Sequence, residues 1–265
     1  MEPTAKLEEL VREIAFSEVM PRFLNGQSER KADGSMLSEA DLVSQAAFSE
    51  RLPEIVDAPV LGEEMTYEQQ LSLWRAHAQS GLWVVDPIDG TNNFVNGLPH
   101  FALSAALIRA GRAELGVVFD PCAGECFSAA RGRGSHLNGV KLPLRRVKKR
   151  LHEALAGIDV KRLRSGRLVS SLNNFAPFGT LRCLGSSTLD WCYLAAGRFD
   201  IYMHGGQNLW DYAAGALIFE EAGGIYATLE GDDFWSGRHV FQRSVVAAGQ
   251  EELFQKWLAW VRANQ

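Results

Sequence analysis

Residues 82–94 read Leu82-Trp83-Val84-Val85-Asp86-Pro87-Ile88-Asp89-Gly90-Thr91-Asn92-Asn93-Phe94. The apolar run Leu82–Val85 has the character of a buried strand, and Asp86-Pro87 is a turn dipeptide expected to end it. Two carboxylates at a buried strand end repel each other and lose hydration, and a hard divalent cation offsets both costs. Pro87 fixes its own φ and donates no hydrogen bond, so the link between Asp86 and Asp89 is stiff. Gly90 allows the backbone to approach a ligand closely, and Thr91 adds a hydroxyl beside it. Carboxylates for a metal followed by free N–H groups for an anion make a metal-dependent phosphate site. Asp-Pro and Asp-Gly also serve as plain turns, so the wider sequence must choose between the two readings.

Working outward, Leu7, Leu10, Val11 and Ile14 repeat at helical spacing and predict an amphipathic helix over about 4–24. Ser38-Glu39-Ala40-Asp41 opens a second helix running to about Arg51, with a capping-box spacing from Ser38 to Asp41. A short strand is expected over Ile55–Leu61, delivering Gly62-Glu63-Glu64, and a helix over Thr66–Ser80 with Thr66 and Gln69 as its capping box. Segments near 100–109, 113–120 and 125–130 predict neighbouring antiparallel strands. Beyond residue 150, helices are expected at Ser186–Ala196, Tyr212–Ala222 and Glu251–Ala263, and strands at 199–204, 224–229 and 244–248. With no linker and no repeat, the expectation is a mixed α/β (α+β) chain of layered helices and sheets forming one unit over 1–265.

The 265 residues are 46% hydrophobic and 22% charged, with a formal net charge of −5. This is an ordinary soluble composition, with no global attraction to nucleic acid or an anionic membrane. No apolar stretch approaches the ~20 residues that span a bilayer, and residues 1–6 lack a basic-then-apolar signal, so a cytoplasmic location without membrane contact is expected. Cys122, Cys126, Cys183 and Cys192 form no Cys-x-x-Cys pair and are read as free thiols. Basic stretches (Arg145, Arg146, Lys148, Lys149, Arg150, then Lys161, Arg162, Arg164, Arg167) have no aromatic residues interleaved. They are read as solvated surface, and no nucleic-acid partner is expected.

The string from Asp86 to Phe94 resembles the signature Asp-Pro-Ile-Asp-Gly-Thr-x-Asn-Phe of the inositol monophosphatase family, Mg²⁺-dependent and Li⁺-sensitive phosphomonoesterases. Lys31-Ala32-Asp33-Gly34-Ser35 through Asp41, Leu61-Gly62-Glu63-Glu64 and Gly185-Ser186-Ser187 are similar to three further family segments. Trp210-Asp211-Tyr212-Ala213-Ala214-Gly215, followed by Glu221-Ala222-Gly223-Gly224, resembles its second signature. The resemblance spans nearly the whole chain and implies an αβαβα layered sandwich, with most metal ligands in the half before about residue 145, and a homodimer.

Carried over by this resemblance, Glu63, Asp86, the Ile88 carbonyl, Asp89 and Asp211 would ligate Mg²⁺. Taken alone, Asp211 also has the position of an N-cap for the helix after it, and Asp41 that of a capping-box acid. The resemblance further implies in-line attack on the phosphate by metal-activated water, oriented by Glu63 and a Thr91–Asp41 pair. The N–H groups of Gly90 and Thr91 would hold the phosphate, and Gly185, Ser186, Ser187, His204 and Asp211 would line the substrate site. One departure stands out. Where family inositol phosphatases often carry Glu, seven residues before the Asp of Trp-Asp, this chain has His204. Imidazole in place of an acceptor-only anion changes how hydroxyls are read. The expected reaction is therefore hydrolysis of a small phosphate monoester, inositol monophosphate or a related polyol or sugar phosphate. The alternatives are histidinol phosphate, a sugar bisphosphate or a nucleoside bisphosphate, or a non-catalytic binding protein retaining the fold.

Overall fold

A computed structural model describes residues 2–31, 34, 36–143, 148–163, 166–236 and 240–265. Arg145, Arg146 and Arg164 of the basic stretches, and Ala32, Asp33 and Ser35 of the segment after Lys31, lie outside the described residues. In chain order the elements are α1 (Pro3–Ile14), β1 (Ser28–Arg30), β2 (Met36–Ser38), α2 (Glu39–Arg51), β3 (Val60–Gly62), α3 (Tyr67–His77) and β4 (Leu82–Asp89). There follow α4 (Thr91–Val95), β5 (Ala102–Arg109), β6 (Arg112–Asp120), β7 (Glu125–Ala130), β8 (Gly134–Leu137), β9 (Val140–Lys141), β10 (Leu155–Asp159) and α5 (Gly166–Phe175). The chain ends with β11 (Thr180–Arg182), α6 (Ser187–Ala195), β12 (Ile201–Gln207), α7 (Leu209–Glu221), β13 (Ile225–Ala227), β14 (Arg243–Ala248) and α8 (Glu251–Asn264).

The large sheet runs β3-β4-β5-β6-β7-β8-β9, and the smaller one β11-β10-β12-β14-β13. Side chains alternate across each strand, and that alternation assigns the layers. Trp83 and Val85 of β4 pack with Leu7, Val11 and Phe48 of α1 and α2, whereas Leu82 and Val84 pack on the opposite side with residues of α6 and α7. The same inner core takes Tyr202, Val245 and Ala247 from the smaller sheet. Ile201, Met203, Val246 and Ala248 point outward to Leu168, Leu172, Leu253 and Trp257 of α5 and α8. Helix, sheet, helix, sheet and helix layers follow, the αβαβα sandwich expected from the resemblance. Helix α7 lies between the sheets and is buried on nearly every face, as a helix apolar all round must be. At its Gly215, α6 packs close: a Cβ there would meet the Trp191 Cβ at 2.6 Å.

Several element boundaries differ from the sequence reading. The first helix passes into a wider turn at Ala15–Val19 and a tight one at Met20–Arg22, around Pro21. The strand expected over Ile55–Leu61 is confined to Val60–Gly62, after a tight turn at Leu52–Glu54. Pro53 and Pro59 donate no ladder hydrogen bonds, and Ile55 and Val56 pack sideways into the core. Strand β4 does not stop at Asp86. It continues to Asp89, with Asp86 opposite Ser104 and Asp89 opposite Ala102. Three steps against two is a bulge, and Pro87 sits inside it, where the missing N–H costs nothing. Helix α7 begins at Leu209 and is capped by Asn208, so Asp211 is its third residue and not its N-cap. Its carboxylate still reaches back, accepting from the Asn208 N–H at 2.8 Å.

Candidate active site

Glu63, Asp86, Ile88, Asp89, Gly90, Thr91, Gly185, Ser186, Ser187, His204 and Asp211 all line one cleft of about 700 Å³. Asp41 lies behind that wall, fully buried. Three different parts of the chain build the acidic floor. The β4 bulge supplies Asp86 and Asp89, the first turn of α7 supplies Asp211, and the turn after β3 supplies Glu63. Oxygens of Asp86, Asp89 and Asp211 lie within 4.8 Å of one another. Glu63 faces the same cleft but stands outside that triad, with Lys31 Nζ 3.6 Å from its Oε1.

Burial pushes Asp86 well above the usual carboxylate range, and Glu63, Asp89, Asp211 and Asp41 push it further. Every charge bearing on Asp86 in this way is another acid. Burial likewise raises Glu63 to about 8; Lys31 opposes this, while Asp211, Glu64 and Asp41 add to it. Lys31 also holds Glu64 at 2.6 Å, so Glu64 is a buried ion-pair partner and not a solvent-exposed acid. Such a group of desolvated hard oxygens is destabilised alone and suited to a divalent cation.

The remaining residues are held by specific bonds. Asp89 Oδ2 accepts from Ser186 Oγ at 2.5 Å and from the Thr188 N–H and Oγ1, both at 2.7 Å. The Ser186 hydroxyl is thus committed to Asp89 and almost completely buried. The Thr91 hydroxyl donates to the Ile88 carbonyl at 2.9 Å, and Asp41 Oδ1 lies at 3.4 Å from it. One proton is shared between these acceptors, the nearer being the carbonyl. Asp41 also accepts from the Ser38 N–H and hydroxyl at 2.7 and 2.6 Å, completing the α2 capping box. Gly90 adopts φ +93°, a left-handed conformation that opens α4 and that other residues reach only under strain. The Asn93 amide donates to the carbonyls of His100 and Leu184, tying α4 to the 184–187 loop.

His204 is 4% exposed and lines the cleft. Asp159, Lys161 and Asp190 line the same cleft, and the sequence reading singled out neither of these acids. Lys161, read as solvated surface, borders the cleft. Of the other basic residues, Lys149 is engaged with Asp200 at 2.6 Å. Burial raises Asp190 well above its ordinary range, with Asp89 and Asp159 adding to the effect. All four cysteines are free. Among the described residues, no helix is long and apolar enough to cross a membrane.

The chain has relatives among known proteins. The model of the inositol monophosphatase family matches residues 2–265. An inositol-1-monophosphatase of Rhizobium meliloti is 37% identical over 234 residues, 86% of this chain and 84% of that protein. The Nus factor SuhB of Pseudomonas aeruginosa is 38% identical over 189 residues, 69% of this chain and 68% of that one. A solved Thermotoga maritima IMPase superposes with a TM-score of 0.81 at 26% identity, covering 98% of this chain and 96% of its own. The chain is a member of the inositol monophosphatase family of phosphoric monoester hydrolases.

Proposed function

We propose that this protein hydrolyses the phosphate monoester of a small polyol or sugar in a Mg²⁺-dependent reaction. The observation that carries the reading is the acidic triad, whose oxygens from Asp86, Asp89 and Asp211 lie within 4.8 Å of one another. Asp86, Asp89 and Asp211 would hold Mg²⁺, with Glu63 and the Ile88 carbonyl beside them. When bound, the cation supplies Lewis acidity toward the phosphate and lowers the pKa of water.

The chain's own residues supply positioning, which dominates phosphoryl transfer. The N–H groups of Gly90 and Thr91 open α4 and are offered to phosphate oxygens. Glu63 and Thr91 orient the attacking water, and Asp41 holds the Thr91 hydroxyl from behind. Ser186 and Thr188 fix one oxygen of Asp89, leaving its other oxygen for the triad. Gly185 and Ser187 border the substrate, and His204 marks the end that receives its alcohol half.

A second reading rests on the relatives named Nus factor SuhB, which raise a binding role for the same fold. Phosphate release from a panel of polyol, sugar and aryl phosphates, with Mg²⁺ and with chelator, separates the two. Mg²⁺-dependent release supports the enzyme reading. No release from any member at saturating Mg²⁺ overturns it.

A further inference from the structure

The family's usual glutamate at the alcohol end of the cleft is replaced by His204, yet a carboxylate remains at that end. Strands β10 and β12 are parallel neighbours, and their register places Asp159 opposite His204. Ala156 and Ile158 of β10, like Ile201 and Met203 of β12, point into the outer core. By alternation Asp159 and His204 point the other way, into the cleft, and both line it.

His204 Nδ1 accepts from the Gly206 N–H at 3.1 Å, within the irregular stretch where β12 shifts register against β14. A ring nitrogen that accepts a hydrogen bond carries no proton, so the imidazole proton is on Nε2. Nε2 lies 3.5 Å from Asp159 Oδ2. The other oxygen, Oδ1, accepts from the Lys161 N–H at 3.0 Å. One Asp159 oxygen thus faces the imidazole and the other takes the Lys161 N–H; the side chain is 27% exposed, whereas that of His204 is 5% exposed.

We propose that Asp159 is the specificity-determining residue for the alcohol half of the substrate, with His204 as its positioning residue. The acceptor that the family usually places at 204 has moved one strand over. A hydroxyl on the alcohol half of the polyol or sugar ester proposed above would donate to that carboxylate. This deepens the phosphatase reading above and rests on it.

The test uses the full chain at saturating Mg²⁺, with inositol 1-phosphate and p-nitrophenyl phosphate, which has no hydroxyls to read. Asp159→Asn keeps an oxygen for the Lys161 N–H, so the local turn is retained. A hydrogen bond to a charged acceptor corresponds to about tenfold to a hundredfold, and a loss of that size in kcat/KM is expected for the polyol ester, mainly through KM. Activity on the aryl ester should stay within about twofold. His204→Glu alone sets two carboxylates against each other and lowers polyol activity as well. The double variant Asp159→Asn/His204→Glu leaves one carboxylate in the 159–204 pair, as in the wild type, and should recover most of the loss.

Equal losses on both esters in Asp159→Asn, or no loss on either, overturn the proposal. So does a double variant no better than its worse parent. A wild type inactive on both esters would sink the phosphatase reading instead. Calorimetric affinity for inositol 1-phosphate then decides the role of Asp159: a weakening of about tenfold in Asp159→Asn supports it, and equal affinities reject it.

Discussion

Thr188 donates twice to Asp89, from its N–H and its hydroxyl, both at 2.7 Å, across ninety-nine positions of sequence. The first turn of α6 is thereby fastened to the end of β4, and an anion at a helix N-terminus is itself stabilised. Thr188→Val keeps the shape and the N–H but deletes the hydroxyl. One hydrogen bond to a charged group is worth ~1.5–3 kcal/mol, so kcat/KM should fall about tenfold or more. Thr188→Ser should retain most activity. Initial rates across a Mg²⁺ titration check this, and unchanged rates in the valine variant would show that Ser186 Oγ and the N–H suffice.

Asp89→Asn removes a charge from the triad while leaving a side-chain oxygen for Ser186 and Thr188. A loss of about 4 kcal/mol of transition-state stabilisation, roughly a thousandfold in rate, is expected. Thermal melts should change far less than rates. Near-normal turnover at saturating Mg²⁺, or hydrolysis that resists chelator in the wild type, would remove Asp89 from the metal assignment.

The acids of β4 could be read from sequence because the information is local: an apolar run, a proline and two carboxylates within eight residues. The bulge that brings Asp86 and Asp89 together could not, since it depends on pairing with Ser104 and Ala102. The helix expected over Tyr212–Ala222 starts three residues earlier, after Asn208, so Asp211 is its third residue and not the N-cap that its polarity suggests. The layered fold followed from the family resemblance and not from periodicity, which cannot say which sheet a strand joins. Asp159 escaped notice for a related reason. It stands next to His204 only through the parallel register of β10 and β12, and no short-range pattern encodes that register.

Asp41 predicts a pH dependence of stability. Burial pushes its carboxyl up to about 6, against the hydrogen bonds from Ser38 that favour ionisation. In the unfolded chain the group titrates near ~3.9. Between those values the folded protein keeps a proton that the unfolded chain has released, so stability falls as pH rises from ~4 to ~6 and levels off above. The scale is ~3 kcal/mol. Asp41→Asn cannot titrate, so the stability of wild type minus variant should decline by about that amount between pH 4 and pH 7. Urea unfolding of both proteins in chelator checks it. Parallel curves, or a difference growing with pH, would show that the charged form is well solvated.

Gly215→Ala tests whether the closeness of α6 and α7 matters to the site as well as to the fold. The added Cβ would lie 2.6 Å from the Trp191 Cβ and 2.9 Å from its Cγ, well inside contact distance. Trp191 is fully buried and boxed in by the rings of Tyr202, Phe219, Tyr226 and Phe234. It cannot swing aside, so the helices must separate. Alanine is intrinsically the better helix former by ~1 kcal/mol, which opposes the change. Overpacking typically costs ~1–3 kcal/mol, and with so short a contact the steric cost should win. A lower Tm is therefore expected. Because α6 carries the donors to Asp89 and α7 carries Asp211, separation also widens the triad and should lower kcat. Adding Trp191→Leu to Gly215→Ala makes room for the new methyl, and that pair should regain kcat relative to Gly215→Ala alone even where stability is not restored. A higher Tm in Gly215→Ala, or a kcat unchanged while Tm falls, would show that the helix contact and the acid cluster are energetically separate.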